Sequence, residues 1–296
     1  MKHQRTGIAL IVLAATMFAT LDAATKLSGA LAPVMMLLWF RYAFQAVATF
    51  ALRLPVQGLQ LFATRNPRFQ LLRGVLLLTT SACSFFGLQY LPVGRIHGHR
   101  DVVTAGRDRS CGLGAQRKVS APRWTLLALG LSGALMVIRP GGQLFGWALL
   151  FPVLLVGTYA SFQVLTSRLS GDENPYTTHL YTGLVGTVVM SAIVPLYWST
   201  TALLSHWPWF VAIGFLGTFG HLLLIKAFGK APSSVLTPYL YSQIGFATLL
   251  GWLAFRHTPD TWAWSGIAVI AVCGMACVWL TGEESRLARV IVSAEN

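Results

Sequence analysis

The sequence predicts an all-α integral membrane protein, a ten-helix bundle of two inverted five-helix repeats whose fourth helix is corrupted in the chain as written. Three observations predict it. Residues 6–21, 27–40, 74–94, 140–167, 174–225, 231–255 and 261–282 hold no Asp, Glu, Lys or Arg, and the 174–225 run can hold two spans. The second half repeats the first at a constant offset of 140, with Gly74 on Gly214, Pro92 on Pro232 and Trp124 on Trp264. Residues 94–117 break the pattern: they carry five Arg, two Asp and two His where the second copy has an apolar stretch from Ser234 onward.

The elements follow in order. A basic tail, Met1 to Arg5, precedes a first span over 7–26, read as retained because no small-residue cleavage site follows it. Ser28 to Pro33 turns the chain into a second span over 33–53. The link 53–68 holds Arg53, Arg65 and Arg68 and so belongs on the cytoplasmic side. A third span covers 69–90. A fifth element fits 123–138 and stops at Arg139-Pro-Gly-Gly. Further spans fit 144–166, 176–197, 207–229, 233–255 and 261–281, with turns at 171–175, 198–208, 229–234 and 256–260. That makes nine visible spans and one vacancy, within a first repeat at 7–140 and a second at 144–282. Five spans per repeat is an odd number, so the second copy must be inverted in the membrane.

Composition narrows the function. The chain is 55% hydrophobic with mean hydropathy +0.62, beyond an ordinary soluble domain. Its net charge of +13 collects in loops and in 94–117, which excludes nucleic acid as the reason for it. Cys273 and Cys277 lie one turn apart on an apolar run and read as small packing residues. No catalytic motif or paired carboxylates are found, and no metal or cofactor is implied. His97, His99 and Cys111 imitate metal-ligand spacing only inside the anomalous stretch.

Charges and polar aromatics inside spans mark candidate sites. Asp22 and Arg41 fall at similar depth on consecutive spans, and Lys26 is one turn from Asp22, so the three form a candidate charge cluster, structural or functional. Tyr159 and Gln163 share one face of the sixth span, as do Tyr239 and Gln243 on the ninth. With Trp39, Arg41, Gln89 and Tyr241 they are expected to line a central cavity for a planar or zwitterionic solute, the alternative being helix–helix hydrogen bonds. Lys226 is expected to snorkel. Gly183, Gly186, Gly214, Gly217 and Gly220 mark close helix packing.

The two repeats, with GLQYLPV and KVSAPRWTLLALGLSGALMVIRPGG in the first and IKAFGKAPSSVLTPYLYSQIGFATLLGWLAF in the second, resemble EamA-type transporters of the drug/metabolite transporter superfamily. The resemblance covers nearly the whole chain. It implies a ten-helix transporter bundle with both termini cytoplasmic, moving a small organic metabolite across the cell (inner) membrane, with the bilayer as its surroundings and a homodimer left open. A membrane-embedded enzyme, or a non-functional transporter product, is the alternative. Residues 94–117 are where the chain departs from the family. Read one nucleotide later, their codons permit Ala-Glu, then apolar residues around a Ser-Pro, then Ser-Glu before Lys118. A compensated frameshift, an error or a genuine lesion, is therefore expected there.

Overall fold

The computed structural model describes residues 2–90, 150–170, 172–231, 233–240, 242–256 and 260–294, with isolated positions between 125 and 136. The anomalous 94–117 stretch and most of the expected fifth span lie outside the described residues. What is described is helical: α1 (Lys2–Ser28), α2 (Val34–Gln57), α3 (Pro67–Tyr90), α4 (Leu150–Leu169), α5 (Pro175–Ile193), α6 (Thr200–Phe228), α7 (Ser233–Leu240), α8 (Ser242–Phe255) and α9 (Thr261–Ala294). Short 3-10 turns follow α2 and α5. Among the described residues, five segments are long and apolar enough to cross a membrane: Gln4–Ser28, Val34–Phe62, Pro67–Gly87, Pro175–Tyr197 and Thr200–Phe228.

Local chemistry sets the helix ends. Asn174 caps α5 by accepting from the Tyr176 amide at 2.9 Å, and Pro175 takes the first helical position, where a missing N–H costs nothing. Ser199 caps α6 in the same way, accepting from the Ala202 amide at 3.2 Å. The sequence places a turn over 198–208 and begins a span at 207. The helix instead starts at Thr200 and kinks at His206 (φ −128°), two residues before Pro208. Proline removes one rung of the hydrogen-bond ladder and bends the helix without ending it. The described residues of the expected span over 233–255 are helical, as α7 and α8, and residue 241 between them lies outside the described residues. The last helix runs past the expected end at 281 to Ala294.

Helix α1 packs against α6 and α8, α2 against α5 and α6, and α3 against α4 and α5. Lipid offers no hydrophobic drive for such contacts, so close approach through small residues has to supply it. Helix α2 lies against two glycine pairs. A Cβ on Gly186 would sit 2.3 Å from the Tyr42 ring, and one on Gly183 would sit 2.8 Å from the Ala46 backbone. On α6, a Cβ on Gly214 would strike Phe44, and one on Gly217 would strike Arg41, each at 2.7 Å. Gly220 receives the Phe18 ring of α1 in the same manner. The expected packing role of these five glycines is what the structure holds.

One end of the bundle gathers the link 58–66, the 172–174 turn and the 229–231 turn. Glu173 Oε1 accepts from Thr64 Oγ1 at 2.9 Å and from the Arg65 and Asn66 amides at 3.0 and 3.1 Å, just before α3 begins. This carboxylate satisfies amides that the start of α3 would leave orphaned. Gly7 of α1 packs on Ala231 and Lys230 at this end. Arg53 donates to the Tyr176 hydroxyl, and Lys226 lies 5.0 Å from the Tyr176 ring centroid. Lys226 thus rests on an aromatic face at the helix end.

The glycine contacts yield a stability prediction. Gly186→Ala should destabilise the bundle by about 1–3 kcal/mol, because the buried Tyr42 ring cannot yield space cheaply. Gly157→Ala, whose Cβ would meet nothing within 4 Å, should be neutral or slightly stabilising. Denaturant unfolding of the two variants in detergent micelles checks this. Equal stability of both would remove the packing account.

Candidate functional site

The polar centre of the bundle is built around Arg41. Its side chain leaves α2 fully buried, at 2% exposure, in a helix of otherwise apolar neighbours. Nη1 donates to Ser81 Oγ of α3, and Nη2 donates to His221 Nε2 of α6 at 2.8 Å. Arginine can only donate, so His221 Nε2 is the acceptor and its proton sits on Nδ1. The Tyr42 hydroxyl meets the same Ser81 oxygen at 2.8 Å. Arg41 Nε has no hydrogen-bond partner and faces Gly217, where any side chain would collide with it. A single guanidinium thus ties α2 to α3 and α6.

A pocket opens beside it. Phe18, Leu21 and Asp22 of α1 line it, with Arg41, with Leu77, Thr80, Ser81, Ser84 and Phe85 of α3, with Tyr159 of α4 and with His221. One acid and one base therefore share a mostly hydroxyl and aromatic wall. The cavity volume is ≈ 20 Å³, room for about one water. Pockets that hold small organic molecules measure roughly 300–1,000 Å³.

Asp22, Arg41 and Tyr159 of the expected site line this pocket. Asp22 and Arg41 share it, and Arg41 donates from its two terminal nitrogens to Ser81 and His221. Lys26 is half-buried one turn further along α1, outside the lining. Gln163 is fully buried, and Gln243 is 5% exposed, but neither lines the pocket. Tyr239 packs on the main apolar core. Trp39 is elsewhere: its Nε1 donates to Ser191 Oγ at 2.8 Å and its ring meets Trp198 edge-on at 6.1 Å. The side chain of Gln89 and the whole of Tyr241 lie outside the described residues.

Sequence reasoning missed Ser81, His221, Arg73 and His179. The first two had a signal: they are 140 residues apart, the repeat offset, so one falls on the other when the halves are aligned. Arg73 is fully buried near the start of α3. Its Nε donates to Thr166 Oγ1 at 2.8 Å, and its Nη1 to Thr178 O at 3.1 Å and Thr182 Oγ1 at 2.5 Å. His179, also fully buried, donates from Nε2 to Thr218 O at 2.9 Å and meets Thr49 Oγ1 through Nδ1 at 2.8 Å. Gln45 Nε2 donates to the His179 carbonyl at 2.9 Å. These contacts fasten α2, α5 and α6 together between the pocket and the end that carries Glu173. Among the described residues, no group of three or more His, Cys, Asp or Glu could hold a metal.

Comparison with known proteins relates the chain to membrane transporters. Residues 146–280 match the EamA-like transporter family. The chain is 28% identical to the pseudopaline exporter CntI of Pseudomonas aeruginosa over 94% of its length and 96% of that protein. It is 22% identical to an S-adenosylmethionine uptake transporter of Rickettsia conorii over 91% of each. A riboflavin transporter of Vibrio cholerae is 25% identical over 60% of this chain and 59% of that protein. One solved structure, described only as "Crystal structure of protein", shares the fold with a TM-score of 0.71 at 14% identity, covering 93% of this chain and 97% of its own. These relatives are transporters and exporters, which sets the membrane-embedded enzyme aside. The second half of the chain matches the EamA-like transporter family, and nearly its full length is similar to proteins named as transporters and exporters.

Proposed function

We propose that the protein carries a small organic metabolite across the cytoplasmic membrane by alternating access between two inverted repeats, residues 7–140 and 144–282. The observation that carries this reading is the Arg41 pocket: buried opposite charges, hydroxyls and aromatic rings from five helices converge on a cavity too small for a solute as it stands. A permanent binding site would be open or filled with side chains. A site that must close around a solute and release it on the other face needs a polar lining and a contracted state. The helix contacts support the repeat. Shifted by the repeat offset, α1 corresponds to α4 and α3 to α6, so the α1–α6 and α4–α3 contacts exchange, as do α2–α6 and α5–α3. The relatives' named solutes, pseudopaline, riboflavin and S-adenosylmethionine, have small-molecule size in common.

Flux of labelled solutes into proteoliposomes tests the reading. A transported solute should lose at least about tenfold in rate with Arg41→Gln, since the change removes a buried charge-assisted donor worth roughly 1.5–3 kcal/mol. Rates unchanged by that substitution would move the solute site elsewhere.

We read both termini as cytoplasmic; for the N-terminus this is supported by the arginine-rich link 53–68, which shares its end of the bundle with the start of α1 and with Lys226 and Lys230. A reporter fused to either terminus should be active only on the cytoplasmic face. Activity on the outer face would invert the orientation.

The 94–117 stretch is read as a compensated frameshift replacing a fourth span, since five Arg and two Asp at roughly 2.5–3.5 kcal/mol each exceed what a helix of that length recovers. The DNA over codons 92–120 should give an apolar span in the shifted frame. Stops, or charges within the span between its terminal Glu residues, would refute it.

A further inference from the structure

We propose that Arg73 is a second solute station, which takes the anionic group of a solute passing to or from the Arg41 pocket, with Phe162 as the plate between the two. The inference rests on the transport reading above.

Arg73 is a permanent charge with 0% exposure, and every group it touches is neutral. Among the described residues, its Nη2 has no hydrogen-bond partner. A guanidinium does not discharge itself by losing a proton, so burying one without a counter-charge is costly unless an anion visits it. The threonines around it are suited to such a visit. Thr166 and Thr182 each donate their hydroxyl proton to their own helix, to Phe162 O at 2.7 Å and Thr178 O at 2.9 Å. They offer Arg73 only lone pairs, at Nε and Nη1, so a carboxylate arriving at Nη2 meets a nitrogen they leave unspent. That bond would join two opposite charges, whereas the present partners of Arg73 are neutral oxygens.

The route between the stations is one ring thick. The Arg73 guanidinium lies 4.7 Å from the Phe162 ring centroid. The same ring meets His221 edge-on at 5.9 Å and stacks on Tyr159 at 6.2 Å, and both of those residues line the Arg41 pocket. Phe162 itself is fully buried. Rotation of this one side chain would join the pocket to Arg73. The two arginines then stand on one path, each held by uncharged partners and each with a buried nitrogen unspent.

An anion at Arg73 could be the carboxylate of a solute or a free halide, and the experiment separates them. The full chain, purified in detergent with gluconate as the bulk anion, is titrated with sodium acetate and separately with sodium chloride while its thermal unfolding midpoint is read. The titrations are run in the Arg41→Gln background, so that Arg73 is the remaining central guanidinium. Acetate should raise the midpoint by about 2–4 °C. That rise should vanish on adding Arg73→Gln and shrink on adding Arg73→Lys, which keeps the charge but loses the fork. Adding Phe162→Ala should bring the acetate response to lower concentration. If Arg73→Gln does not fold, the Lys and Phe162 variants decide the matter. No acetate rise in Arg41→Gln, or one indifferent to Arg73→Lys, overturns the station. A chloride response as large as acetate's with the same Arg73 dependence also overturns it, in favour of an inorganic-anion site. Because unfolding and not flux is read, failure here leaves the transport reading to the proteoliposome assay.

Discussion

Helix α2 is held in two glycine-lined grooves, one on α5 and one on α6, and the rest of the structure depends on that fit. Tyr42 and Ala46 enter against Gly186 and Gly183, while Phe44 and Arg41 enter against Gly214 and Gly217. In lipid, where burying an apolar side chain against another gains little over burying it in acyl chains, backbone approach is what binds helices. The consequence reaches the chemistry. With α6 that close, Arg41 extends along its backbone to His221, and its other terminal nitrogen still reaches Ser81 on α3. A larger residue at 217 would displace the guanidinium before it affected any other part of the fold.

Both central arginines are solvated by hydroxyls, an imidazole and a carbonyl in place of a carboxylate. The choice has energetic content. An Arg–carboxylate pair would neutralise the charge and hold the helices in one arrangement, and separating it in low dielectric would cost several kcal/mol. Neutral oxygens satisfy the donors and leave the charge in place, and the contacts exchange for water or solute oxygens at small net cost. Asp22 shares the pocket with Arg41, whose terminal nitrogens donate to Ser81 and His221. A bundle that must open and close around a polar solute gains from donors that are held but not locked.

Hydropathy made the helices legible, because a lipid-facing surface forces long apolar runs. Asp22 and Arg41 were legible for the same reason: a charge in the middle of such a run stands out. Arg73 was not, since it sits one turn into α3 beside Arg65 and Arg68 and reads as the last charge of a loop. Only the fold turns it inward, toward Thr166 and Thr182. His179 and His221 were hidden because a neutral histidine does not interrupt an apolar run. Trp39 was read toward the cavity on its chemistry alone, and its partner Ser191 lies 152 positions away, beyond what helical spacing predicts. The kink at His206 escaped because a Ser-His-Trp-Pro string reads equally as a turn.

The unusual 94–117 stretch bears on these parts unequally. All of the described pocket lining comes from α1, α2, α3, α4 and α6, whose sequences are ordinary apolar spans with isolated polar residues. The glycine grooves and the Arg73 cluster likewise draw on α2 to α6 alone. None of these contacts requires a residue between 94 and 117. A bilayer counts crossings, however, and a segment with seven formal charges cannot supply one. Losing a single crossing after α3 would reverse the side from which every later helix enters, so α4, α5 and α6 could not meet α1, α2 and α3 as they do here. The contacts between the halves therefore require an odd number of crossings' worth of chain between Tyr90 and Leu150 to be made up to an even one. The burden of the anomaly falls on insertion, and the chemistry of the pocket is written elsewhere in the chain.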